Sequence, residues 1–252
     1  MGTYFALELK RALRDPSALM FTIGIPAFMY YIFGVSMEWG TYDIGNGNVS
    51  MYVMINMAAY GAVTATTSVG GLAAVERMQG WGRQLGLTPM PDSRFVITKA
   101  LVGTAVAALP IALIYLIGYF SDAQAIGWVW PASAGLVLLG AMLFSLYGLM
   151  VGFLFRSENA VGIASGMVVI FGFLGNVFMP LSGAMLTFSK FTPLYGLAAL
   201  ARRPLTEGND LDQSTGELIV QPLWQILANV GAWLLIFGVA AILLVRRSRE
   251  RQ

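Results

Sequence analysis

Glu76, Gly80, Arg83 and Leu87 recur at i, i+4, i+7 and i+11 within a charged, glycine-punctuated stretch running from Glu76 to Met90. Wound as a helix they share one face, while Met78, Trp81 and Leu85 share another. The first face suits a groove in another protein, and the second suits a lipid interface or the underside of the chain's own helices. Gly80, Gly82 and Gly86 would each cost such a helix about 1 kcal/mol relative to alanine, so it needs whatever it touches to order it. Pro89 and Pro91 end it. The chemistry on offer is docking rather than bond-making, and the other reading of the same residues is a basic loop that only fixes topology.

Bond-making groups are scarce elsewhere. The chain has no His and no Cys, which removes the usual metal ligands, redox thiols and imidazole bases. All thirteen Asp and Glu fall between or at the edges of apolar runs, whereas proton-driven carriers and intramembrane enzymes hold carboxylates at depth because their chemistry needs them. The glycines near the docking stretch (Gly70, Gly71, Gly80, Gly82, Gly86) do not form a phosphate-cradling loop with its lysine. No catalytic residue, metal site or bound cofactor is expected, and any work against a gradient must draw its energy from a partner.

The elements that position the docking stretch are membrane spans. With 57% hydrophobic and 11% charged residues, the chain departs from soluble domains, which are about one-quarter charged. Six charge-free windows, 16–37, 44–75, 100–121, 123–155, 159–189 and 218–245, are each long enough to cross a bilayer, which takes roughly 20 helical residues. Their apolar character is continuous, unlike the alternation of membrane barrel strands. The expected fold is therefore all-α, with six transmembrane helices.

Lys10, Arg11, Arg14, Arg77, Arg83, Arg94, Lys99, Arg156, Arg246, Arg247, Arg249 and Arg251 fall on one side of such a layout, leaving only Lys190, Arg202 and Arg203 on the other. Basic flanks stay in the cytosol, so both termini and the docking stretch are expected there. Residues 3–15 place Phe5, Leu9, Ala12 and Leu13 on one stripe, the pattern of an interfacial helix, with Pro16 turning the chain into the bilayer. The first window is too long for a signal core and lacks a small-x-small cleavage site, so it reads as a retained helix. Residues 180–204 are apolar but carry Pro180, Pro193 and Pro204. They are too few to cross twice, and a single crossing would reverse the terminal arginines, so a re-entrant or surface-lying helical pair is expected. Only residues 207–217 then form a sizeable external loop, and residues 1–252 form one membrane domain.

Glu76-Arg77, the glycine three residues later, and Leu87-Thr88-Pro89-Met90 leading through Arg94 to Lys99 resemble the ABC type-2 permease family. The resemblance continues through Phe191-Thr192-Pro193-Leu194-Tyr195 ahead of the last span, although Met78 and Gln79 stand where family members often carry further acids. It implies a coupling helix between helices 2 and 3 and re-entrant helices before helix 6. It also implies a half-transporter of the drug and antibiotic resistance group in a bacterial cell membrane, a homodimer or a pair with a similar chain, driven by two cytosolic ATPase subunits. Glu76, Arg77, Gly80, Arg83, Gln84 and Leu87 would then couple to the ATPase.

By the same likeness, Met54, Asn56, Met57 and Tyr60 of span two and Phe171, Phe173, Asn176, Phe178 and Met179 of span five would line a substrate cavity. Methionine and aromatic walls adapt to varied apolar ligands, although these residues would face lipid equally well. Gly148-x-x-x-Gly152 and Gly162-x-x-x-Gly166 permit close helix approach, either within the chain or at a subunit seam. The leading expectation is an exporter permease for a hydrophobic or amphipathic compound such as an antibiotic, peptide or lipid-like molecule. The alternative is a membrane sensor or scaffold that docks a signalling partner and transports nothing.

Overall fold

The computed structural model describes residues 2–76, 92–155, 159–211 and 218–249. An amphipathic helix α1 (Gly2–Ala12) lies against the bundle through Phe5, Leu9 and Ala12, three of the four residues of the expected stripe, while Leu13 follows the helix and is exposed. Lys10 and Arg11 occupy its last turn, where they complement the negative end of the helix dipole. Asp15 then caps the next helix, its Oδ1 accepting the Ala18 N–H at 3.0 Å, with Pro16 in the first turn. That helix, α2 (Pro16–Val35), contains π-helical turns at Met20–Gly24 and Tyr31–Val35.

A short 3-10 turn (Glu38–Thr41) leads into an antiparallel hairpin, β1 (Asp43–Ile44) and β2 (Gly47–Asn48), paired Asp43 to Asn48 and Ile44 to Gly47. The Asn48 side chain anchors it. Its Oδ1 accepts from Met51 N and Gln124 N, both at 3.0 Å, and its Nδ2 donates to the Asp122 carbonyl at 2.6 Å. The long helices follow: α3 (Val49–Glu76), α4 (Asp92–Tyr119) and α5 (Val129–Phe155).

The most buried span and the least buried span differ sharply in hydropathy. The most apolar window of α3 is 89% buried with a mean hydropathy of only 1.2, whereas the corresponding window of the last helix is 17% buried with a mean hydropathy of 2.3. Lipid-facing helices must be apolar all round; a helix surrounded by protein needs small residues that let backbones approach. α3 supplies them. Gly61 sits where a methyl group would come within 2.8 Å of Pro110 Cβ and 2.9 Å of the Thr22 carbonyl oxygen, so α2, α3 and α4 meet there. Gly148 and Gly152 of α5 pack onto α3: a Cβ on Gly148 would strike the Thr67 carbonyl, and one on Gly152 would lie 2.5 Å from Ala74 Cβ.

The fifth window departs from expectation. Its helix α6 (Ala160–Leu174) has 15 residues, about 22 Å, against a hydrocarbon core of about 30 Å. Gly175 and Asn176, the latter at φ +59°, then turn the chain. Five helices among the described residues are long and apolar enough to cross a membrane: α2, α3, α4, α5 and the last. Absence of charge marked 159–189 as apolar but could not show where its helix stops.

The expected helical pair is present as α7 (Gly183–Ser189) and α8 (Pro193–Thr206). α8 ends at Glu207, at φ +57°. A second hairpin, β3 (Asn209–Leu211) and β4 (Leu218–Val220), precedes α9 (Leu223–Arg249).

Candidate functional site

A cavity of about 800 Å³ opens between α2, the first hairpin, α3 and the chain leaving α6. That volume lies within the usual range for small-molecule sites. Rings form much of the wall: Phe33, Trp39, Tyr42, Phe173 and Phe178. Met29, Met37 and Met179 fill between them, and Asn56 and Asp43 are among its few polar groups. Phe178 is held edge-on by Tyr60 on one side and Phe173 on the other, each with ring centroids 4.8 Å apart.

Behind Asn56 lies a buried polar network at the hairpin end of the bundle. Arg202 of α8 donates from Nη1 to Asn56 Oδ1 at 2.9 Å and to the Asn176 carbonyl at 2.8 Å; its Nη2 faces Asp210 Oδ2 at 3.4 Å. Both side chains of this ion pair are 2% exposed. Asp210 also accepts from Tyr52 at 3.0 Å, from Asn176 Nδ2 at 2.8 Å and from Gln221 Nε2 at 3.2 Å. The Tyr52 ring lies 4.8 Å from the Arg202 guanidinium. Tyr195 donates to Gln221 Oε1, and burial, aided by the nearby Asp210 carboxylate, pushes its phenol up to about 12, so it keeps its proton at neutral pH. This network ties α3, the turn after α6, α8 and the second hairpin into one unit.

The other end of α3 is held by charge as well. Lys99 Nζ of α4 lies 2.6 Å from Glu76 Oε2 and 2.7 Å from Glu8 Oε2 of α1, while Arg11 Nη1 reaches Glu76 Oε1 at 2.5 Å. Lys99 is 4% exposed at its side chain but Arg11 is 61% exposed. Removing one partner of a buried pair costs about 3–5 kcal/mol because the other charge is stranded, whereas an exposed pair contributes about 0–1 kcal/mol. Lys99 is therefore the keystone of the cluster, and Arg11 is secondary.

Glu76, expected on a face meeting a partner, is turned onto the chain's own helices in this cluster. Arg77, Gly80, Arg83, Gln84 and Leu87 lie outside the described residues. Of the residues expected at a cavity, Asn56, Phe173, Phe178 and Met179 line the one described above. Met54 and Met57 are enclosed on other faces of α3, while Tyr60 is buried on the cavity-facing side but lies behind Phe178 rather than in the wall. Phe171 packs on Tyr147, with centroids 5.7 Å apart, and Asn176 belongs to the polar network. The two glycine pairs separate: Gly148 and Gly152 pack within the chain, whereas Gly162 and Gly166 face open space.

Asp43, Trp39 and Tyr42 were not legible as wall residues, since they occupy the interruption between two apolar windows. Their signal was faint: two rings and an acid clustered before Gly45 and Gly47.

Comparison with known proteins accords with this geometry. A family model described as ABC-2 type transporter matches residues 2–196. The "Putative transport permease YvfS" of Bacillus subtilis (strain 168) is 23% identical over 254 residues, covering 96% of this chain and 95% of the relative. With most of its length under that match and several membrane-length apolar helices, the chain is a multi-pass membrane transport permease and belongs to the ABC-2 type transporter family.

Proposed function

We propose that this chain is the membrane subunit of an ATP-driven exporter for a hydrophobic or amphipathic compound. The observation that carries the reading is the course of α3. One helix runs from the cavity, through Tyr52, Val53 and Asn56, to the ion cluster at Glu76, where residues 77–91 begin. Asn56 and Glu76 stand 20 residues apart along it, about 30 Å. A displacement of the segment after Glu76 is thereby delivered to the cavity wall.

In this reading the α1 end and both termini are cytoplasmic, in a bacterial plasma membrane, and α6 with the turn after it completes a sixth crossing. The whole chain acts as a single permease domain. Two cytosolic ATPase subunits hold the ATP and Mg, and the chain itself binds no cofactor. ATP has leverage because a ligand shifts a two-state equilibrium only through its different affinity for the two states. Glu76 roots the coupling segment while Arg77, Gly80, Arg83, Gln84 and Leu87 present it to the ATPase. A second copy packs against the open face of α6, where Gly162 and Gly166 leave room for a helix.

Affinity capture of the chain from its native membrane should recover a nucleotide-binding subunit with a P-loop. Its absence, with a signalling protein in its place, would mean a sensor or scaffold instead. In the reconstituted complex, a Glu76→Gln, Arg83→Ala double variant should keep hydrolysing ATP while transport falls about tenfold, a loss of roughly 1.4 kcal/mol of coupling. Unchanged transport per ATP would remove the coupling assignment.

A further inference from the structure

Among the described residues, the cavity is lined by one charged group, the Asp43 carboxylate, and by no basic residue. The chain carries no Lys or Arg between Arg14 and Arg77, while Glu38 and Asp43 both lie in the segment joining α2 to α3. Arg202 is a nearby cation behind the wall, but Asp210 neutralises it and the Tyr52 ring faces it. A molecule in the cavity therefore meets an uncompensated negative charge at Asp43, beside the rings of Trp39 and Tyr42. Aromatic faces are themselves negative and attract cations.

We infer that the cavity selects an organic monocation with an aromatic or hydrocarbon body. The inference rests on the exporter reading and narrows its substrate class. The rings and methionines take the body by burial and adapt to its shape. Asp43, exposed at the rim, takes the positive centre without first having to be dragged out of water. An anion of the same shape gains the same apolar burial but meets a carboxylate and ring faces. Because Asp43 acts partly through solvent, the discrimination it supplies is several-fold rather than thousand-fold.

Tetraphenylphosphonium and tetraphenylborate provide the test, since they share size and shape and differ in sign of charge. Equilibrium dialysis of each against the purified full chain in detergent would be compared with a Val49→Trp variant that puts an indole into the cavity against the bound body, so that micelle partition cancels in the difference. The expected result is specific binding that favours the cation several-fold. Asp43→Asn, at an exposed position, should abolish that preference while leaving thermal unfolding unchanged, and Asp43→Glu should restore it. Equal or tighter binding of the anion, or a preference unaltered in Asp43→Asn, overturns the charge selection. If Val49→Trp alters binding of neither ion, the cavity is not the site and the inference falls with it. Transport of a neutral amphiphile by the reconstituted complex, blocked by Val49→Trp and indifferent to Asp43→Asn, would leave the exporter reading standing and overturn this inference alone.

Discussion

Two buried charges decide most at the scale of single residues. Lys99 satisfies Glu8 and Glu76 together, so Lys99→Met removes the buried cation from both carboxylates and leaves Glu76 only the exposed Arg11. It should cost about 3–5 kcal/mol, read as an early thermal transition in detergent, whereas Arg11→Ala should cost less than about 1 kcal/mol. A comparable loss from both would show that Arg11 carries more than its exposure implies. Asp210→Asn should behave like Lys99→Met, because it leaves Arg202 charged at 2% exposure. Its partners were not legible in the sequence. The sequence shows Arg202 only as one of three basic residues on the minority side of the layout, and the left-handed turn at Glu207 and Gly208 brings Asp210 back beneath it. Asn56 was legible as a deep polar residue; that it bonds Arg202 while also lining the cavity is a property of the packing.

At the scale of elements, glycine placement separates helices that meet within the chain from the face left free. Gly61→Val forces apart α2, α3 and α4 where a methyl has no room, and should destabilise the chain by about 1–3 kcal/mol. Gly166→Leu meets open space and should leave the unfolding temperature of the single chain unchanged. If α6 is the seam with a second copy, the same substitution should reduce disulfide cross-linking between chains carrying an engineered cysteine at position 163. Undiminished cross-linking would place the seam elsewhere. The amphipathic first helix and the paired short helices before the last span were readable because stripe spacing and prolines have direct backbone consequences. The short α6 was not, because Gly175 and Asn176 end it without any charge to announce the break.

Across the whole molecule, the permease is organised around a helix anchored at both ends by ionic networks and flanked midway by backbone-to-backbone packing. That arrangement braces α3 at both ends and at its middle. Absence of charge marked out the five membrane-length helices, since the membrane excludes charge so strongly; the cavity followed only in part, since lipid and ligand reward the same side chains. The low hydropathy of α3 also has a consequence for biogenesis. A span of mean hydropathy 1.2 partitions weakly by itself, and α5, whose glycines receive it, begins 53 residues after Glu76 leaves the ribosome. At bacterial-type synthesis rates that interval is roughly 3–10 s, during which α3 has only α2 and α4 to pack against. A nascent chain truncated before Val129 should therefore hold α3 in the membrane only loosely, extractable at alkaline pH, and a chain continued through Phe155 should hold it fast.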